Sequence, residues 1–188
     1  MNSKARSVSL SGLFAALIAV GAFIQIKIPL PLYEMHFTLQ WFFVVCAALL
    51  LGTRGAVLSV GVYLLIGLAG VPVFAAGGGP AYVLRPGFGF LLGFLFAAPV
   101  ISGIAKAVDS FVRKLLAAVI GMVVYYTVGA AYFYLMKNLY AGEAVAWKVV
   151  IVEYCLITVL PDLLLCLLAA LLSNRLQPRL NRILNGGK

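Results

Sequence analysis

Three polar side chains lie in apolar surroundings, and their types are suited to binding a small molecule. Asp162 lies inside the run VLPDLL (159–164), where a carboxylate is costly unless it faces a cavity or a partner. Arg85 is the only charged residue of a glycine-rich segment (70–86), and its guanidinium could bind both oxygens of a carboxylate. Gln40 could offer an amide to a polar ligand. Together they predict a site for a small acid.

Each of these residues also has a structural interpretation. Asp162 could form a buried hydrogen bond or an ion pair, and Arg85 could reach water from the membrane interface or pair with an acidic residue. Gln40 follows Thr38, which could cap the start of a helix. The three glycines at 77–79 could let the backbone approach a ligand closely, or they could only allow the segment to fold back over the protein.

The sequence lacks the patterns of a metal site, a nucleotide-binding loop and a catalytic centre. It has one histidine, and its three cysteines lie in apolar runs without metal-ligand spacing. No G-x-x-x-x-G-K-[ST] pattern is present, so ATP binding by this chain is not expected. Catalysis by a membrane-embedded enzyme would need paired carboxylates, clustered histidines or a nucleophile beside a base. We therefore expect no metal, no cofactor and no catalysis by this chain.

The composition indicates a membrane protein. Of 188 residues, 64% are hydrophobic and 10% are charged, whereas soluble domains are about half apolar and about a quarter charged. This excludes an ordinary cytosolic enzyme, a disordered chain and a disulfide scaffold. The formal net charge of +9 comes from basic residues that separate apolar runs, so nucleic-acid binding is not expected. The length predicts a single membrane domain, residues 1–188.

The apolar runs predict an all-α protein with six transmembrane helices. The predicted spans are 8–28, 38–51, 56–71, 87–105, 115–136 and 147–172. The second and third are short and could instead form one broken hairpin. With six spans, ten of the fourteen Lys and Arg residues fall on the side of the two termini, which predicts that both termini are cytoplasmic.

Small residues recur at helical spacing in the first, fourth and fifth of these spans. Gly89, Gly93 and Ala97 stand four residues apart in the fourth span, and Ala15 and Ala19 do so in the first. Such stripes let helices pack closely. In the fourth span we favour packing inside the bundle. In the first span, next to a basic N-terminus, a surface for a partner protein is an alternative.

Several segments together resemble the BioY family. They are TLQ (38–40), GTRGAVLSV (52–60), YLLIGLAGVPVF (63–74), GGGP (77–80), RPGFGFLLGF (85–94) and the Pro161–Asp162 pair. BioY proteins are the substrate-binding S-components of energy-coupling factor (ECF) vitamin transporters. The resemblance implies an S-component-like bundle of six helices in the bacterial cell membrane and a biotin site near the outer face. It also implies separate partners, namely a coupling membrane subunit and two ATPase subunits.

The resemblance extends to individual residues. The family's acidic residue in the last helix, which takes part in ligand recognition, corresponds to Asp162. The family's small residues in the first helix, which contact the coupling subunit, correspond to Ala15 and Ala19. In the resulting hypothesis Arg85 holds the carboxylate and aromatic side chains pack on the ring. The predicted binding residues are Arg85, Asp162, Gln40, Tyr82, Phe74, Gly78, Gly79 and Phe90.

The chain departs from the family pattern in two places. Leu165 stands where family members often have a lysine, and RPGFGF (85–90) stands where they often have GPTGGY. The pocket is therefore expected to be less polar. Lipoate shares the valerate carboxylate of biotin but has a ring of carbon and sulfur only, so it is the alternative ligand. Other classes, a membrane-embedded enzyme or a scaffold, rank lower.

Overall fold

The computed structural model describes residues 3–30, 34–107 and 110–184. This part of the chain is mostly helical. Its α-helices are α1 (Ser3–Phe23), α2 (Gln40–Leu68), α3 (Phe88–Lys106), α4 (Phe111–Leu135), α5 (Trp147–Ile151) and α6 (Ile157–Leu184). Residues 31–33 of the predicted outer connection, and the last four residues of the predicted domain, lie outside the described part.

Shorter elements join these helices. An antiparallel hairpin of β1 (Gln25–Ile28) and β2 (Met35–Thr38) connects α1 to α2, so the predicted all-α class is corrected by one small sheet. A 3-10 helix (Pro80–Leu84) precedes α3. A π-helical turn (Met136–Tyr140) extends α4, and another (Val152–Leu156) joins α5 to α6.

Five helical stretches are long and apolar enough to cross a membrane. They are Ala5–Phe23, Gln40–Leu68, Phe88–Lys106, Phe111–Tyr140 and Ile157–Leu180. Their outward side chains are largely apolar. Leu65 and Leu160, for example, are 70% and 77% exposed in the isolated chain, which suits a surface that faces lipid rather than water. The chain is therefore a multi-pass membrane protein.

The helix α2 is broken and folds back on itself at Gly52. This residue has φ 70° and ψ −177°, a conformation that glycine adopts without a steric penalty. Gln40 and Tyr63 would be about 34 Å apart in a straight helix, yet the Gln40 Nε2 and Tyr63 Oη atoms are 2.6 Å apart. The two short predicted spans correspond to the two arms of this helical hairpin, residues 40–51 and 53–68.

Two helices end at residues other than the ends of the predicted spans. The first helix ends at Phe23 rather than at residue 28, and residues 25–28 form β1. The last helix continues to Leu184, well beyond residue 172. The predicted spans depend on hydropathy alone. Hydropathy does not distinguish an apolar strand from the end of a helix, and it does not detect a polar stretch of helix that continues past the membrane.

Helices α3 and α4 approach closely through glycine. A Cβ atom on Gly93 would lie 2.7 Å from the carbonyl oxygen of Tyr125 and 2.9 Å from its Cα. A Cβ on Gly89 would collide with the Tyr132 side chain, and one on Gly129 with the ring of Phe90. The predicted packing role of the small residues in the fourth span is thus confirmed.

The bundle has two chemically different ends. The hairpin end carries the β hairpin and the glycine-rich segment that follows α2. The terminal end carries the start of α1, the break at Gly52 and the end of α6; a Cβ on Gly55 would lie 3.5 Å from Ser11 Oγ. Helices α3 and α4 run between the two ends. Polar side chains inside the bundle can therefore open towards either end.

Candidate functional site

A cavity opens at the hairpin end of the bundle. Its volume is about 800 Å³ when the open mouth is included. Strand β2, the glycine-rich segment and helices α2, α3, α4 and α6 all contribute walls. The lining residues are Met35, His36, Phe37, Thr38, Gln40, Trp41, Ala75, Tyr82, Gly87, Phe90, Leu91, Phe94, Tyr125, Phe133, Thr158 and Asp162.

Asp162 is the charged group of this cavity and is only 1% exposed. Its Oδ2 atom accepts hydrogen bonds from the Tyr125 hydroxyl at 2.8 Å and from the Tyr126 hydroxyl at 2.6 Å. Thr158 lies one helical turn before Asp162, and its Oγ1 is 2.9 Å from the Tyr126 hydroxyl. Two adjacent residues of α4 thus hold one carboxylate oxygen of α6.

The other carboxylate oxygen, Oδ1, accepts no hydrogen bond from the described residues. A buried carboxylate loses its hydration and needs donors on both oxygens. Because Asp162 lines the cavity, a ligand with N–H groups can supply the donors that the protein does not. The arrangement therefore fits a ligand that donates hydrogen bonds at the bottom of the cavity.

Aromatic rings surround this carboxylate. The ring centroids of Trp41 and Tyr125 are 4.6 Å apart, and those of Phe94 and Tyr125 are 5.3 Å apart. Phe90 meets Tyr125 edge to face at 6.0 Å. The Trp41 Nε1 atom donates to the Cys166 sulfur at 3.2 Å, which fixes the indole ring. This aromatic box offers ring surface against which a flat or puckered ring of a ligand can pack.

Gln40 lines the cavity, but its amide is already used. Its Nε2 atom donates to the Tyr63 hydroxyl at 2.6 Å, and its Oε1 atom accepts from the Thr38 hydroxyl at 3.0 Å. Tyr63 in turn donates to the Val73 carbonyl at 3.3 Å. The amide therefore ties β2, both arms of α2 and the glycine-rich segment together beneath the mouth, as well as facing the cavity.

His36 links the two parts of the mouth. Its Nδ1 atom is 2.7 Å from Gln25 Oε1, and Gln25 Nε2 donates to the Ala75 carbonyl at 3.2 Å. Burial lowers the pKa of His36 below its usual 6.5; Glu34 raises it, whereas Lys27 and Arg85 lower it further. The imidazole is therefore neutral at pH 7, and it can both donate and accept at the cavity wall.

Phe74, Gly78 and Gly79 do not line the cavity. Phe74 is 1% exposed and packs where a Cβ on Gly67 would lie. A Cβ on Gly78 would collide with the Val71 carbonyl, and Gly79 has φ +100° and donates its N–H to the Gly67 carbonyl at 2.8 Å. These three residues thus lie outside the cavity wall. Their contacts stabilise the fold of the segment over the mouth.

Arg85 lies at the surface beside the mouth and outside the lining. Its Cζ atom is 5.1 Å from the centroid of the Tyr82 ring, within the range of a cation–π contact. Tyr82 is 8% exposed and does line the cavity. Of the predicted binding residues, the structure brings Gln40, Tyr82, Phe90 and Asp162 together in the wall.

The predicted partner-facing residues lie differently in α1. Ala15 is 4% exposed, because it packs inside the chain itself, and Ala19 is half-buried. Gly12 and Ala16 are exposed small residues of this helix, and together with Ala19 they follow an i, i+4, i+7 spacing on one face. The small-residue surface that α1 offers outward therefore includes Ala19 but not the buried Ala15.

Sequence reasoning missed Tyr125 and Tyr126 as the partners of Asp162, and Trp41, Phe94 and Thr158 as wall residues. Thr158 carried a signal, because it stands four residues before Asp162 on one helix face. The tyrosines carried none, since their distance from Asp162 depends on how α4 packs on α6. No group of three or more His, Cys, Asp or Glu side chains that could hold a metal ion occurs among the described residues.

The fold and the site define a class: a multi-pass membrane bundle with a ligand cavity that opens at one end. A model of the BioY family matches residues 1–182 of the chain. The chain belongs to the BioY family. This assignment confirms the resemblance seen in the sequence and sets aside the interpretation as a membrane-embedded enzyme.

Individual relatives agree with the family. The chain is 43% identical over 172 residues to the probable biotin transporter BioY of Lysinibacillus sphaericus, which covers 90% of this chain and 86% of that protein. It is 42% identical over 125 residues to the biotin transporter BioY of Thermotoga maritima, with 66% and 72% covered. The fold matches a crystal structure of the S-component for biotin from an ECF-type ABC transporter, with TM-score 0.83, 23% identity and 95% of each chain covered. The S-component-like fold is thereby confirmed.

Proposed function

We propose that this chain is the substrate-binding component of an ECF transporter and that it binds biotin for uptake across a bacterial cell membrane. The whole chain, residues 1–188, acts as one membrane domain, and separate subunits supply ATP hydrolysis. The names of the relatives support biotin as the ligand. The observation in the site that carries the proposal is the buried carboxylate of Asp162, which is satisfied on one oxygen only.

Biotin has the donors that this carboxylate needs. Its ureido ring carries two N–H groups, and one or both can donate to Asp162 Oδ1 at the bottom of the cavity. The fused rings then pack among Trp41, Phe94 and Tyr125. The valerate chain extends towards the mouth, where Arg85 lies at the surface and can attract the carboxylate. Each part of the ligand thus has a chemically matched region.

Lipoate fits the same cavity less well. Its dithiolane ring has no N–H group, so it would bury Asp162 with one oxygen unpaired. An unpaired buried charge costs about 1–3 kcal/mol or more, and a site built for hydrogen bonds rejects an analogue without them strongly. The less polar sequence at 85–90 therefore does not favour lipoate, because Asp162 dominates recognition.

We expect purified full-length protein to bind biotin and to prefer it over lipoate by at least about 100-fold. The measurement is a titration with radiolabelled biotin, followed by competition with unlabelled lipoate and unlabelled biotin. The lost hydrogen bonds to Asp162 are the physical reason for the preference. Equal competition by the two vitamins would contradict the ureido model, and no binding of either at micromolar concentration would contradict the function itself.

We propose that the chain crosses the membrane six times with both termini in the cytoplasm. The reversal of α2 at Gly52 supports this, since its two arms and the other four long helices make an even number of crossings. The excess of basic residues at the terminal end supports the orientation. We expect a green fluorescent protein fused after Lys188 to fluoresce and alkaline phosphatase at the same place to be inactive. The opposite pair of results would overturn the orientation.

We propose that the outward face of α1 contacts the coupling membrane subunit of the transporter. Gly12, Ala16 and Ala19 lie on this face, and small residues allow another helix to approach closely. Ala15, the other residue predicted for this contact, supports it from inside by packing α1 on the bundle. None of these residues of α1 lines the cavity, so binding and coupling are separable.

We expect Ala16→Trp to abolish biotin uptake by cells while biotin binding by the purified protein stays unchanged. The large ring blocks close helix packing but reaches no residue of the cavity wall. The matched control is Val123→Trp, which places the same ring on the exposed side of α4 (Val123 is 57% exposed) and should leave uptake intact. Normal uptake by the Ala16 variant would exclude this face as the coupling surface.

A further inference from the structure

His36 is the lining residue whose ordinary pKa lies near neutral pH. It belongs to β2, where it stands opposite Lys27 of β1, and its side chain is 15% exposed. Recognition of the ureido ring takes place at the bottom of the cavity and does not use this imidazole. His36 lies at the mouth instead, on the side to which the valerate chain of biotin extends.

Hydrogen bonds determine which ring nitrogen of His36 carries the proton. Gln25 Nε2 donates to the Ala75 carbonyl at 3.2 Å, so the amide oxygen Oε1 is the atom that faces the imidazole. His36 Nδ1 is 2.7 Å from this oxygen, which can only accept a hydrogen bond. Nδ1 must therefore be the donor, and in the neutral ring Nε2 carries the lone pair.

The second ring nitrogen, Nε2, is available to a ligand. Glu34 Oε1 lies 3.9 Å from it, which is beyond hydrogen-bond distance. The Glu34 side chain is 52% exposed and also lies 3.6 Å from Lys27 Nζ, so water and this lysine reduce its effect on the imidazole. A ligand atom at the mouth can therefore compete for Nε2.

The surrounding charges keep His36 neutral in the protein without ligand. Burial lowers its pKa most, Glu34 raises it, and Lys27 and Arg85 lower it further. Asp162, the charged residue of the wall, lies at the bottom of the cavity. A carboxylate beside Arg85 and His36 adds a negative charge at the mouth and raises the pKa of the imidazole. Protonation then changes Nε2 from an acceptor, which repels a carboxylate oxygen, into a donor.

On the basis of the proposed function, we propose that His36 binds the valerate carboxylate of biotin beside Arg85 and takes up one proton from solvent as it does so. The new Nε2–H donates to a carboxylate oxygen, and the guanidinium attracts the same group. Coupling is reciprocal, so protonation of His36 also strengthens biotin binding. Since binding raises the pKa, the added affinity is fully present below the pKa of the free protein and is lost as the pH rises through the pKa of the complex.

The test compares biotin with biotin methyl ester on the purified full-length protein. Calorimetric titrations near neutral pH in phosphate and in Tris, which differ in ionisation enthalpy, count the protons taken up on binding. We expect biotin to take up more protons than the ester, by a sizeable fraction of one. The ratio of the affinities for biotin and the ester should rise about fivefold from about pH 8 to about pH 6. Both ligands carry the ureido ring, so titration of Asp162 affects them equally.

His36→Gln tests the residue itself, because glutamine keeps an N–H for Gln25 and does not titrate. In this variant the two ligands should take up equal numbers of protons, and the affinity ratio should no longer depend on pH. Glu34→Gln is the matched control, since it neutralises an exposed side chain of the same hairpin. It should keep the extra proton and move the pH range downwards, because Glu34 raises the pKa of His36.

Equal proton uptake with biotin and the ester in the unchanged protein overturns the proposal, even if the His36 variant does not fold. An extra proton that persists in a folded His36→Gln variant overturns it as well, because another group then titrates. An extra proton that disappears in this variant and persists in Glu34→Gln supports it. Absence of binding by either ligand would contradict the proposed function, and this role of His36 with it.

Discussion

The Asp162→Asn variant is expected to bind biotin about 100-fold more weakly than the unchanged protein. The amide has one acceptor oxygen instead of two and no charge. It therefore cannot serve the tyrosine hydroxyls and the ureido N–H groups together. A hydrogen bond to a charged group contributes about 1.5–3 kcal/mol, which corresponds to about 10-fold to 150-fold in affinity. Calorimetric titration of purified protein with biotin measures the change.

The stability of the Asp162→Asn variant distinguishes recognition from folding. A buried carboxylate with one unpaired oxygen is costly, so neutralising it should leave the thermal midpoint unchanged or raise it. Glu153→Gln is the matched control, since it neutralises an acidic residue just before α6 that does not line the cavity. Wild-type affinity in the Asp162 variant would show that biotin is recognised by other groups.

The second large effect is expected for Gly93→Ala, although this residue is outside the cavity wall. The new Cβ would lie 2.7 Å from the Tyr125 carbonyl oxygen and 2.9 Å from its Cα. Backbone atoms cannot rotate away as a side chain can, so α4 must move. We expect a loss of about 1–3 kcal/mol in the free energy of unfolding and about tenfold weaker biotin binding, because the Tyr125 hydroxyl no longer meets Asp162 at its proper distance.

Gly61→Ala is the matched control for this variant. Gly61 lies in the second arm of α2, and a Cβ there has no atom within 4 Å. The same substitution should therefore stabilise the helix by up to about 1 kcal/mol and leave biotin binding unchanged. Thermal unfolding in detergent and biotin titration of both variants decide the matter. If Gly93→Ala behaves like Gly61→Ala, the close approach of α3 and α4 does not set the geometry of the site.

The structure places some of the predicted site residues in the cavity wall and others outside it. Asp162 could be identified because a carboxylate in an apolar run is costly wherever the chain places it. Phe74, Gly78 and Gly79 were predicted to contact the ligand because of their segment, but their contacts are with Gly67 and Val71. The segment contributes Ala75 and Tyr82 to the cavity wall. Which of its side chains face inward depends on backbone angles that the sequence pattern does not specify.

The amino-acid sequence by itself determined the class of this protein, its apolar helices and the intramembrane carboxylate, since composition and burial cost act along the chain. It also determined the family, through the runs at residues 52–94. Only the tertiary structure decided that α2 reverses at Gly52, that two tyrosines hold one oxygen of Asp162, and that Arg85 stays at the surface. These features depend on distances between residues far apart in the chain, and helix packing sets those distances through contacts that no local pattern records.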